Sequence, residues 1–135
     1  MRDLLLVSHG PLAQSYLASL DMIAGGHNRV QAVTFDGEIS KDELARNVQA
    51  SVNPDHETVI VVDLPGGTPC NVCLENYLRD DQVTILASLN LPMLLEIYLN
   101  LDNPDYQLAT ALQTAAGNCF DVKQRLAATD DEDDE

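Results

Sequence analysis

Three short stretches hold residue types that can do chemistry together. They are His9 in Val7-Ser8-His9-Gly10-Pro11, Asp63 directly after Thr58–Val62, and Gly66-Gly67-Thr68 just beyond it. A neutral imidazole is a nucleophile near physiological pH. A carboxylate that accepts its Nδ1–H fixes the tautomer and leaves a lone pair on Nε2. The same carboxylate favours the imidazolium that forms when the ring is substituted. A glycine pair ahead of a helix lets backbone N–H groups approach an anion closely, and the helix N-terminus adds positive charge. A nucleophilic imidazole beside an anion pocket points to phosphoryl transfer through phosphohistidine. No acidic cluster suited to magnesium stands out, and the transfer needs no metal or other cofactor if the pocket stabilises the charge. Taken singly, each feature has a plainer account: His9 as a loop residue, Asp63 as a cap, the glycines as a tight turn. Whether they converge depends on the elements that hold them.

Leu4-Leu5-Leu6-Val7 is apolar at consecutive positions. A strand with one wet face would alternate, so this run reads as a strand buried on both faces. Gly10 allows a sharp exit and Pro11 suits a helical first turn, which predicts a helix over 11–24 with Leu12, Tyr16, Leu20 and Ile23 on its apolar side. Arg29–Phe35 reads as a second strand. Ser40 with Glu43 is a capping box for a helix whose apolar face is Leu44, Val48 and Val52. Thr58–Val62 is a third strand, β-branched throughout. Thr68 is expected as the N-cap of the next helix, with Pro69 at its first position. A fourth strand over Gln82–Ala87 follows, then helices opened by Asn90-Leu91-Pro92 and by Pro104, the last closed by Gly117.

This alternation predicts an α/β fold: a doubly wound, mainly parallel sheet of order 2-1-3-4 with helices on both faces. In that order the first and third strands are neighbours, and the crevice between their carboxyl ends is the topological switch point. His9 ends one strand and Asp63 the other, so both face one crevice. After Gly117 the apolar residues Phe120, Val122 and Leu126 alternate with Asp121, Lys123 and Arg125. That is strand periodicity, expected to form an antiparallel edge strand over 118–124, although 123–128 also contains good helix formers.

The 135 residues suit one domain, expected over 1–128. Aromatics are 4% and Trp is absent, so the core must be aliphatic. The net charge is −15, and the last six residues are all acidic, which leaves −9 on the rest. Residues 129–135 are expected to be a disordered acidic tail. Such a charge argues against nucleic acid as a partner and permits a basic protein partner. No stretch is apolar for the roughly 20 residues a membrane span needs. With no signal-peptide pattern at the N-terminus and an odd count of three cysteines, the cytoplasm with free thiols is the expected compartment.

Three segments in order resemble the enzyme IIA component of the mannose-type (mannose, fructose, sorbose) sugar phosphotransferase system. They are Val7-Ser8-His9-Gly10, then Val62-Asp63 with Gly66-Gly67-Thr68-Pro69 and Asn71, then Asn90-Leu91-Pro92-Met93-Leu94-Leu95-Glu96. The resemblance implies that His9 accepts phosphate from the carrier protein HPr and passes it to the IIB component, with the membrane components IIC and IID reached indirectly. It also implies Asp63 as the partner of His9 and Thr68 as the hydroxyl at the phosphoryl site, where Gly10, Gly66 and Gly67 are expected to bind phosphate as well. It implies a homodimer that exchanges the C-terminal edge strand, and a place in the cytoplasm next to the transporter. The sequence departs from the family at Cys70, where an aromatic is common, and no IIB domain is fused.

Two other functions fit parts of the sequence. One is a regulatory module phosphorylated on His9 but uncoupled from transport. The other is a thiol oxidoreductase using Cys70-Asn71-Val72-Cys73, a C-x-x-C at a helix N-terminus where thiol pKa values fall. Two small apolar residues packing a helix is the favoured account of that pair. His27 and His56, in turn-rich loops, are expected to be solvated.

Overall fold

Leu4, Leu5, Leu6 and Val7 are each no more than 1% exposed, as a strand covered on both faces must be. They lie in β1 (Arg2–His9) of the computed structural model, which describes residues 1–133. Leu4 and Leu6 point to one side of the sheet and Leu5 and Val7 to the other, following the two-residue period of a strand. β1 pairs in parallel with β2 (Val30–Phe35) and with β3 (Glu57–Val62), and β3 pairs in parallel with β4 (Val83–Ala87). The sheet order is β2-β1-β3-β4, the doubly wound order expected.

Helices α1 (Leu12–Ala24), α4 (Leu91–Leu99) and α5 (Leu108–Gly117) cover the Leu4/Leu6 face. Helices α2 (Lys41–Ser51) and α3 (Thr68–Tyr77) cover the Leu5/Val7 face. Val59 and Val61 of β3 join the first cluster, Ile60 and Val62 the second. Truncating one such fully buried Leu to Ala costs about 2–5 kcal/mol, enough to unfold a marginal domain. The cap expected for α2 is present: Glu43 N–H donates to Ser40 Oγ at 3.0 Å.

Elsewhere the structure corrects the sequence reading. Of the stripe expected on α1, Leu20 and Tyr16 do face the core, but its two ends do not. Ala13 and Leu20 are buried, whereas Leu12 is 41% and Ile23 57% exposed. The cause is Ser8, whose buried Oγ accepts from Ala13 N–H at 2.7 Å and so aims Ala13 at the sheet. Helix α5 starts at Leu108 and not at Pro104, because Asn103 organises a turn. Its Oδ1 accepts from Asp105 N–H at 3.1 Å and its carbonyl from Tyr106 N–H at 3.2 Å.

The antiparallel edge strand expected over 118–124 is absent. Residues 118–121 are a connection, and α6 (Val122–Asp133) follows. Asp121 starts that helix: its Oδ1 accepts from Gln124 N–H at 3.0 Å and its carbonyl from Arg125 N–H at 3.0 Å. The Asp-x-x-Gln spacing is a capping signal, and it prevails over the apparent alternation. The Arg125 guanidinium lies 4.0 Å from the centre of the Phe120 ring. Helix α6 runs as far as Asp133, and residues 134–135 of the expected acidic tail lie outside the described part.

Candidate functional site

Parallel register brings the end of β1 level with its neighbours: His9 lies opposite Phe35 of β2, and Val7 opposite Val62 of β3. Asp63 follows Val62 directly and turns its side chain back to β1. Asp63 Oδ2 accepts the His9 backbone N–H at 2.9 Å and lies 2.8 Å from His9 Nδ1. The same carboxylate accepts Leu64 N–H on Oδ1 at 3.0 Å. The Asp63 side chain is 9% exposed and that of His9 45%, so the carboxylate is covered while the ring edge faces solvent. With Asp63 ionised, Nδ1 carries the proton and donates it, which leaves the lone pair on Nε2. The Phe35 ring meets His9 edge-on at 5.9 Å between centroids and limits its rotation.

Burial acts to raise the Asp63 pKa. The hydrogen bonds from His9 N–H, from the His9 ring and from Leu64 N–H outweigh it together, and the net effect holds the carboxyl below its ordinary 3.8. Asp63 is therefore an anion throughout the physiological range, as a partner for a ring that gains positive charge must be.

Leu64-Pro65-Gly66-Gly67 forms the other wall. Pro65 stands second, Gly66 third with φ +80°, and Gly67 N–H donates to the Leu64 carbonyl at 3.3 Å. That is a type II turn, whose third position requires a positive φ and hence glycine. Gly67 is glycine for a different reason. Its φ is −74°, open to any residue, but a Cβ there would lie 3.0 Å from His9 Cε1, the carbon between the two ring nitrogens. Gly67, and not Thr68, is the N-cap of α3, so the expectation for Thr68 shifts by one position. The Thr68 hydroxyl is consequently free of capping duty. Among the described residues, the N–H groups of Thr68 and Cys70 have no acceptor, and Pro69 has no N–H. Gly10, also expected to bind phosphate, has φ +58° and its N–H is bonded to the Phe35 carbonyl at 2.8 Å. It shapes the exit from β1. His9, Asp63 and Gly67 thus meet at the switch point, with Gly66 and Thr68 on either side of Gly67 in the chain.

Residues 3–120 match the model of the mannose-type EIIA family, the PTS system fructose IIA component. The chain belongs to this family. It is also 34% identical over 130 residues to the PTS system sorbose-specific EIIA component of Klebsiella pneumoniae, covering 93% of this chain and 94% of that one. Among solved structures it is similar to the PTS IIA protein associated with the fucose utilization operon of Streptococcus pneumoniae. The TM-score is 0.84 at 29% identity, over 93% of this chain and 96% of that one. The EIIA component of Streptococcus agalactiae gives the same TM-score at 27% identity, over 92% of this chain and 99% of that one. As an EIIA component of the mannose family, the chain is part of a sugar phosphotransferase system, with a role in phosphoryl transfer.

The remaining reactive side chains of this EIIA chain are differently placed. Cys70 and Cys73 are free and buried on the inner side of α3. Burial, reinforced by Cys70, pushes the Cys73 thiol up to about 12, opposite to what a redox thiolate requires. His27 and His56 are not solvated as expected. His56 Nδ1 lies 2.9 Å from Asp3 Oδ2, and His27 Nδ1 accepts Arg29 N–H at 3.2 Å. Both sit at the amino ends of the strands, across the sheet from His9. No helix among the described residues is long and apolar enough to cross a membrane.

Sequence reasoning missed two members of the site. Ser8 is 0% exposed, and its hydroxyl ties the start of α1 to the end of β1. A serine three residues before a helix-opening Pro was the available signal. Phe35 carries no local signal, because only the register with β2 puts it against His9.

Proposed function

We propose that His9 carries the phosphoryl group. Its Nε2 attacks the phosphorus of phospho-HPr, forming an N–P bond as the donor histidine's N–P bond breaks and its nitrogen leaves with the electron pair. Phospho-His9 then passes the group on in the same way to a histidine of the IIB component, which serves the membrane IIC and IID components and sugar uptake. Asp63 stays ionised, holds Nδ1–H and offsets the positive charge on the substituted ring. The Thr68 hydroxyl and the free N–H groups at the start of α3 receive the phosphoryl oxygens, with Gly66 and Gly67 giving room for their approach. No metal or organic cofactor enters this scheme, the reaction runs in the cytoplasm, and the working form is a homodimer.

The observation that carries the reading is the 2.8 Å contact between Asp63 Oδ2 and His9 Nδ1, which directs the lone pair to Nε2 on the exposed edge of the ring. Membership of the EIIA family supports it. The test is incubation with phosphoenolpyruvate, enzyme I and HPr, followed by mapping of the phosphorylated residue. Label on His9, acid-labile and lost in His9→Ala, is expected. Label elsewhere, or retained in His9→Ala, rejects the reading.

A further inference from the structure

We infer that Asn71 is a positioning residue for the transfer, whose amide clamps the Gly66 carbonyl and so keeps the 64–67 turn in the state that offers N–H groups to the phosphoryl oxygens. The inference rests on the reading of His9 as the phosphoryl-bearing residue. Asn71 Nδ2 donates to the Gly66 carbonyl at 3.0 Å, and Asn71 N–H donates to the Gly67 carbonyl at 2.9 Å. One residue thus holds both carbonyls of the glycine pair from its place on α3.

The side-chain bond is the informative one. Gly67 is the N-cap of α3, so the Gly66 carbonyl lies outside the helix and accepts none of its N–H groups, while Cys70 N–H is one of the orphan donors of the first turn. Here the Asn71 amide satisfies that carbonyl, and Cys70 N–H has no acceptor among the described residues. The arrangement pairs an acceptor that would repel a phosphoryl oxygen and leaves a donor that would attract it. The clamp also answers a weakness of the turn. The Gly66–Gly67 peptide has no Cβ on either side, and glycine passes readily between positive and negative φ. A half-rotation of that peptide would break the Gly67 N–H bond to Leu64 and put the Gly66 carbonyl where that N–H now stands, next to the residue whose Cα side faces His9 Cε1. Apart from the Asn71 amide, the turn is closed by one long bond, the 3.3 Å contact from Gly67 N–H to Leu64. A carbonyl oxygen turned toward the incoming group would oppose the negative charge of the transition state.

Asn71 is exposed, so removing its amide leaves the core intact. The test compares wild type, Asn71→Ala and Asn71→Leu, the latter keeping the bulk without the donor. The full chain is used, and label transfer from phospho-HPr is followed over a range of phospho-HPr concentrations alongside melting curves. Both variants should lose maximal rate roughly five- to tenfold, the scale of one hydrogen bond. The half-saturating concentration should stay the same, and the melting temperature should move by only a few degrees. A wild-type maximal rate in either variant, a change confined to half-saturation, or a loss that tracks unfolding overturns the inference. If wild-type protein takes no label on His9, the reading of His9 falls, and the role of Asn71 with it; the mapping step keeps the two failures apart.

Discussion

At the scale of single residues, the Asp63 carboxylate has two duties that a substitution can separate. It anchors two backbone N–H groups, which is structural, and it faces a ring whose charge changes, which is catalytic in the proposed scheme. Asp63→Asn preserves shape but removes the charge and the certainty of the Nδ1–H tautomer. Transfer from phospho-HPr should slow by roughly 10²–10⁴-fold, the range for a lost acid–base contribution. Each tenfold corresponds to about 1.4 kcal/mol of transition-state stabilisation. Wild-type transfer in this variant would leave Asp63 an anchor only. The same group sets an acid limit on the fold. Its folded pKa lies below the ordinary 3.8, so its stabilisation is complete above that value and is lost as pH falls through the folded pKa. Urea unfolding of wild type below pH 4 should therefore weaken more steeply than that of Asp63→Asn; parallel profiles would refute this.

At the scale of elements, the site depends on how β1 passes into α1. Ser8 Oγ is the buried hinge, and Ser8→Ala leaves Ala13 N–H without its partner. A lost cap of this kind costs about 1–2 kcal/mol. The measurement is the denaturation midpoint, which should fall while the slope stays constant; an unchanged midpoint would mean that the α1 N-terminus is satisfied otherwise. Elements like these show what sequence makes legible. Leu4–Val7 and Thr58–Val62 were readable as doubly covered strands because no exposed position interrupts them, and their order then fixed the crevice between His9 and Asp63. What depends on three-dimensional approach was not readable. The turn of α1 that exposes Leu12 is set by a Ser8 contact five residues away, and the place of Phe35 is set by inter-strand register. The C-terminal segment failed for a local reason: alternation of Phe120, Val122 and Leu126 mimics a strand, while Asp121 and Gln124 supply the capping that makes the helix.

At the scale of the whole molecule, β4 ends the sheet with a free edge, and Leu112, Phe120, Val122 and Leu126 are 44–69% exposed near the C-terminal end of the chain. In the proposed homodimer these side chains are expected to be covered by the second copy. Light scattering at micromolar concentration should give twice the chain mass, and Leu112→Lys with Val122→Lys should return it to one; a single-chain mass for the wild type would refute the homodimer. One more consequence concerns how the molecule is made. Every residue of the candidate site, from His9 to Asn71, lies in the first 71 residues, and His9 and Asp63 are 54 apart. The helices α4 and α5 that seal the Leu4/Leu6 face begin only at Leu91. A chain growing from its N-terminus therefore has every residue of the candidate site before it has the means to bury its own core. During synthesis the unsealed side of the sheet shows leucine and valine to its surroundings, with α1 alone to cover it. Early termination anywhere between Asn71 and Leu91 yields a fragment that carries every residue of the candidate site on an unfinished fold, a species suited to aggregation and to capture by chaperones.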